Sequence, residues 1–339
     1  MSEAGTIKNV VPRFALPGSE VSVEAEGFEA VWGAHACFFG SEPATIIAAS
    51  SRRILAAVPE SSAGNVTIAL ESGQTRSNSV SLTVGKMLDA DLHNVANPAI
   101  DPMDGAVVVT RSGSRGYQLP NTLIRLEKDG FRDELPVEIL NPTGIAFSPE
   151  GDMFVSNRSA GEVYMVVRGE DKVTYATGLG VATGIAFDAA GVLYVGDRTG
   201  TIYRVPDAGV KETFASLEPS VAAYHLAFGP DGRLYVTSPG LSSHDAIRAI
   251  DGSGEVSVFA RGFGRPQGLA FSKDGDLFAV ACYQGKHGVV RISPDGKVEH
   301  WVAANNAVGI CFSRDGEMIV STSEAVYSIP MGIQGTLLT

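Results

Sequence analysis

The chain is poor in cysteine, in basic residues and in long apolar runs. Cys37, Cys282 and Cys311 are the only three cysteines in 339 residues, and no C-x-x-C pair occurs. That excludes a disulfide framework, and the three are expected to be buried, reduced thiols. No apolar run reaches the roughly 18 residues of a membrane helix, so no membrane insertion is expected. Lys and Arg total 26 against 38 Asp and Glu, a formal net charge of −12. A field of that sign disfavours nucleic acid and anionic membranes as partners. The start, "MSEAGTIKNV", has neither a basic n-region nor an apolar h-region. The expectation is a cytoplasmic protein, or a secreted or periplasmic one if a leader has been removed. No G-x-S-x-G, P-loop, H-E-x-x-H or strand–helix G-x-G-x-x-G motif is present.

What is present divides in two. Residues 6–85 alternate in short segments, "SVEAEGF", "HACFFG", "TIIAAS", "RILAAVP", "NVTIAL" and "SVSLTV", separated by turns such as "LPGS", "SSAG" and "ESGQ". Six or seven such strands in about 80 residues predict a small β-sandwich. The run from "ALPGSEVSVEAEGF" through the pairs Gly27-Phe28, Phe39-Gly40 and Val58-Pro59 resembles an IPT/TIG immunoglobulin-like domain. The resemblance implies the fold of residues 1–85, and a role as spacer, adhesion or glycan-binding module.

From residue 95 the chain repeats itself. "PTGIAFSPEGDMFVSN" returns as "ATGIAFDAAGVLYVGD", "YHLAFGPDGRLYVTS", "PQGLAFSKDGDLFAVA" and "VGICFSRDGEMIVST". The phenylalanines Phe147, Phe187, Phe228, Phe271 and Phe312 are spaced by 40, 41, 43 and 41 residues, and a weaker copy occupies 97–112. Six units of about 40 residues, each with several short strands, predict a six-bladed β-propeller over 86–339. Each unit reads as four strands, a to d. The last unit lacks strand d, so residues 87–94 are expected to supply it and latch the ring; the alternative is that the tail "GIQGTLLT" completes the blade. The fold class is all-β throughout. The repeats resemble the NHL-repeat propellers and the senescence-marker/gluconolactonase family, with "GRPQGLAFSKDGDLFAVACYQGKHGVVRISPDGK" the nearest in style.

Antiparallel pairing brings the start of strand a and the end of strand b to one mouth of the central channel. The first set reads Asn97, Thr143, Thr183, Tyr224, Gln267 and Val308; the second reads Arg111, Asn157, Asp197, Ser238, Ala281 and Thr322. His225 replaces the glycine of Gly144, Gly184, Gly268 and Gly309. Convergent polar groups predict a small-molecule site of Asn97, Arg111, Asn157, Arg158, Asp197, Arg198, Tyr224, His225, Gln267 and Tyr283. Arg111, Arg158 and Arg198 recur in three successive blades and predict a positive spot for an anionic or hydroxyl-rich ligand, unless neighbours such as Asp197 or Glu162 pair with them.

The gluconolactonase resemblance implies a divalent cation, such as Ca²⁺, on carboxylate and Asn ligands. The matching positions carry no carboxylate, which leaves only an atypical set around Asn97, Asn157, Asp197 and Gln267. A His225, His244 and Tyr283 cluster is the basis for a lyase reading. The leading expectation is a non-enzymatic protein whose mouth binds a small polar or anionic molecule, a glycan or a protein partner. A metal-dependent lactonase or esterase is second, and a His-dependent lyase third. The b–c insertions "GYQLPN" and "GLSSHD" are expected to add binding residues.

Overall fold

The computed structural model describes residues 5–28, 35–72, 75–93, 96–112, 119, 122–167 and 171–336. All regular structure among these residues is β, and no helix there is long and apolar enough to cross a membrane.

The sandwich comes first. One sheet orders Thr6–Val11, Glu20–Glu26, Arg53–Ala57 and Ile46–Ala49; the other joins Phe14–Ala15, Val80–Val84, Gly64–Ser72, His35–Phe39 and Glu42–Ala44. Alternation explains the layers: Val21, Val23, Ile54, Ile68, Leu70 and Leu82 point inward and are buried. The three sequence pairs have separate uses. Phe28, Phe39 and Val58 plug this core, while Gly27 and Gly40 turn the chain at φ 78° and 62°.

The remaining strands make six four-stranded blades. Blade two shows the pattern: a, Pro142–Phe147; b, Met153–Asn157; c, Glu162–Val167; d, Asp171–Ala176, each antiparallel to the next. The repeated phenylalanine of strand a packs edge-on against the second residue of strand b in the preceding blade. Four pairs do this: Phe154–Phe187, Tyr194–Phe228, Tyr235–Phe271 and Phe278–Phe312, with centroids 4.8–5.2 Å apart. Such aromatic contacts add about 1 kcal/mol each beyond burial. The repeat is therefore a repeated inter-blade joint. No sheet of four strands buries both faces alone; six stacked radially do.

The last blade is closed by the chain's own beginning. Lys86–Asp89 pairs antiparallel with Val326–Pro330, giving the ring its sixth strand d. The latch is shorter than the expected 87–94. The tail takes another course. Gly335 bridges Ser272, and the Thr336 amide donates to Phe271 O at 3.0 Å, beside the a–b turns.

The sandwich is locked to the ring. Phe14–Ala15 runs parallel to both Val80–Val84 of the sandwich and Val298–Ala303, strand d of blade five. The bulged rim of one domain thus continues the sheet of the other and covers an otherwise open edge. Leu16, 2 % exposed, lies in the core of blades five and six with Phe278, Val302 and Ile310, while Ala303 lies in the core of the sandwich. Asn305 holds the seam with two donated bonds: its Nδ2 to Gly18 O at 3.0 Å and its backbone amide to Ser19 Oγ at 3.1 Å.

Candidate functional site

Strand pairing fixes which residues are equivalent, and it moves one. Ala99 pairs with Val108 as Ala146 pairs with Phe154. Asn97 therefore stands at the glycine position of Gly144, not at the position of Thr143. The ring at the narrow end of the channel is Asn97, Gly144, Gly184, His225, Gly268 and Gly309. Here successive strands a nearly touch. A Cβ at Gly144 would come 2.6 Å from Thr183 O, and one at Gly309 would come 2.6 Å from Asn97 Cα. The Asn97 side chain uses the space that Gly268 and Gly309 leave: its Oδ1 accepts from Ile310 N at 3.1 Å and its Nδ2 donates to Leu269 O at 3.3 Å.

Several expected ligand-binding groups are committed to the scaffold. Tyr224 is fully buried between blades, packed over Gly196, with its hydroxyl donating to Glu218 O. It does not line the mouth; burial pushes its phenol up to about 12. Asn157 Oδ1 accepts from the amides of Ser159 and Ala160 at 2.9 and 3.1 Å. Asp197 Oδ1 accepts from Val181 N and Thr199 N at 2.8 and 3.0 Å, and its Oδ2 from the Thr199 hydroxyl. Both are turn caps. Gln267 Nε2 reaches Ala307 O at 3.4 Å. Tyr283 lies away from the mouth, in a cavity of about 410 Å³ at the seam with the sandwich, shared with Arg13, Phe14 and Trp301.

A second set of polar residues was missed by sequence reasoning. Thr110, Ser156, Thr237 and Ser321, one residue before the positions singled out, donate across blade boundaries to the carbonyls of Thr143, Thr183, Gln267 and Ala96. Their repetition in four copies was the available signal. Much of the polarity of this end is thus stitching between blades.

The cation set fails on the same grounds. The oxygens of Asn97, Asn157 and Asp197 already accept backbone or hydroxyl protons, and Asp101 pairs with Arg125. Among the described residues no three His, Cys, Asp or Glu converge. These residues do not fit a divalent cation, which wants several free oxygens. The histidine cluster does not form either. His225 is buried at the channel, His244 is exposed on its loop with Nδ1 3.2 Å from Ser243 Oγ, and Tyr283 is at the seam.

His225 has a different consequence. Burial lowers its pKa from 6.5 to about 4. The folded state then holds the ring neutral while the unfolded chain takes up a proton near pH 6.5. Stability is at its full value above that pH and falls as pH drops toward 4, by about 3 kcal/mol in all. Urea titrations at pH 7.5, 6, 5 and 4 are expected to show this slope in the wild type, and a shallower one in His225→Gln.

The arginines behave differently from the rest. Arg111, Arg158 and Arg198 follow strand b in blades one, two and three. No acid pairs with any of them among the described residues. The acids expected to neutralise them are occupied: Glu162 takes the Tyr164 hydroxyl and Asp197 its own turn. Arg111 Nε is buried without a partner. Burial, and then the charge of Arg198, lower the pKa of Arg158. The same face carries a cleft of about 560 Å³ across blades four to six, lined by Ser243, Arg265, Gln267, His287 and Asn306. "GLSSHD" borders it, with Gly240 N donating to Asp245 Oδ2 at 2.9 Å. "GYQLPN" lies outside the described residues except for Leu119.

Residues 6–84 match the IPT/TIG domain. No curated protein matches the chain. Among solved structures, the chain is similar to an auxiliary nutrient binding protein from Bacteroides ovatus ATCC 8483, at 15 % identity and TM-score 0.57, covering 96 % of this chain and 98 % of that one. It is also similar to a candidate gluconolactonase, at 17 % identity and TM-score 0.60, covering 74 % and 93 %. Virginiamycin B lyase from Staphylococcus aureus follows at 16 % identity and TM-score 0.54, covering 72 % and 97 %. Residues 6–84 are an IPT/TIG domain joined to a six-bladed propeller, and at such identities the likeness to these solved structures is one of fold.

Proposed function

We propose that this is a non-enzymatic binding protein that takes a small anionic, polar molecule on the face bearing Arg111, Arg158 and Arg198. In this reading residues 86–339 bind and residues 1–85 brace the ring. The observation that carries it is three guanidinium groups with no acidic partner among the described residues, in a protein of net charge −12. Like charges held side by side cost stability unless an anion relieves them, and Arg offers fixed donors that suit a carboxylate. The fit to a solved nutrient binding protein over both domains supports a binding role. Among the described residues no three His, Cys, Asp or Glu converge to hold a metal, and His244 and Tyr283 stand apart from His225, which favours it over the lactonase and lyase readings.

The test is a thermal-shift screen of sugar acids, hydroxy-carboxylates and neutral sugars, followed by calorimetry on the best compound. The expected result is selective stabilisation by carboxylates, with affinity weakened at least tenfold in R158A/R198A. Neutral sugars scoring equally, or a double variant with unchanged affinity, would remove the arginines from the site.

A further inference from the structure

We propose that the central channel is a second ligand site, for a compact hydrocarbon-like molecule, independent of the arginine face and opening on the opposite side of the ring. One ring of equivalent positions makes the room: Ala99, Ala146, Ala186, Ala227, Ala270 and Cys311. Each precedes the repeated phenylalanine of strand a, or Ile100 in blade one. Five side chains end at Cβ and the sixth at a thiol. Larger residues here would fill the axis; these leave about 590 Å³, open beside the a–b turns. That is within the usual size of small-molecule pockets, about 300–1,000 Å³.

The wall is mainly apolar, and its main polar side chains are already engaged. Asn97, at the closed end, spends its amide on Leu269 and Ile310. Asp188, at the open rim, accepts from Ala190 N and Val192 N, both at 2.9 Å. Burial raises the Cys311 thiol pKa, which keeps it protonated. The rest of the wall is mostly Ile, Leu, Ala and Phe, with three prolines, two glycines and Thr336 beside them. Water in such a space lacks partners, so an apolar molecule that replaces it is favoured. The arginine face and this channel are separated by the ring of Gly144, Gly184, His225, Gly268 and Gly309, across which Asn97 lies. One ligand does not occupy both.

The probe is N-phenyl-1-naphthylamine, whose fluorescence rises in an apolar site. The intact protein is expected to give a saturable rise with one site per chain. Ala227→Phe and Ala270→Phe fill the channel from two blades and are expected to weaken binding at least tenfold, while R158A/R198A binds as the wild type does. Melting curves establish that the variants fold. A measurement on the unmodified protein backs this up: saturating probe is expected to raise the melting temperature of the wild type and not that of the filled variants. No saturable rise, equal binding in the filled variants, or an unshifted wild-type melt would overturn the proposal.

Discussion

Gly309→Ala is expected to cost at least about 3 kcal/mol, and to leave little soluble protein if the margin of stability is small. The reason is position rather than backbone conformation, since Gly309 does not need a positive φ. Its missing Cβ is where Ala96 O and Asn97 Cα approach, and both are backbone. Backbone in the middle of a closed ring cannot step aside without moving a whole blade. The ring also joins its two ends at this point: blade six, which carries Gly309, meets blade one, which carries Asn97. Equilibrium unfolding in urea gives the number. As a control, Gly232→Ala lies in an a–b turn with nothing within 4 Å of its Cβ, at φ 77°. It is expected to cost only the strain of that conformation, about 1–2 kcal/mol. If Gly309→Ala were as mild as that, the close approach of strands at the axis would be wrong.

Leu16→Ala has the second largest expected effect, about 2–5 kcal/mol. This leucine belongs to the sandwich in sequence and to the propeller in packing. It lies among Phe278, Val289, Val302 and Ile310, and against Gly85 where the chain passes from one domain to the other. The two flanking bonds, Leu16 N to Ala303 O and Gly85 N to Ala15 O, are both 2.8 Å and anchor it from each side. Calorimetry on the wild type is expected to show one cooperative transition, because the sheets are continuous. In Leu16→Ala the transition falls in temperature and is expected to broaden or split as the two domains uncouple. An unchanged melt would mean that the sandwich only leans on the ring.

Much of this fold was legible in the sequence because its determinants repeat. Phe147, Phe187, Phe228, Phe271 and Phe312 mark the same position in five blades, and their spacing, with the weaker copy at 97–112, sets the blade count. Blade one was legible only to within a residue. It has Ile100 in place of the phenylalanine and Asn97 in place of the glycine, so two landmarks are missing together and the register slipped by one. Tyr224 shows a different limit. Its place in the pattern pointed to the mouth, but Gly196 opens a slot in the preceding blade and the ring turns into it. Such a choice depends on a partner 28 residues away, which no local pattern reveals. The arginines were visible as residue types. Whether acids neutralised them depended on how Glu162 and Asp197 used their own oxygens, and turn geometry decides that.

In the proposed reading the working face is the one where strands b of blades one to three end. Hydrogen–deuterium exchange with and without the best-binding carboxylate tests it most directly. Slower exchange in peptides covering Arg111, Arg158 and Arg198, with the a–b turns and the sandwich unchanged, is the expected result. Protection confined to the a–b turns or to the sandwich, with the arginine segments unaffected, would contradict it.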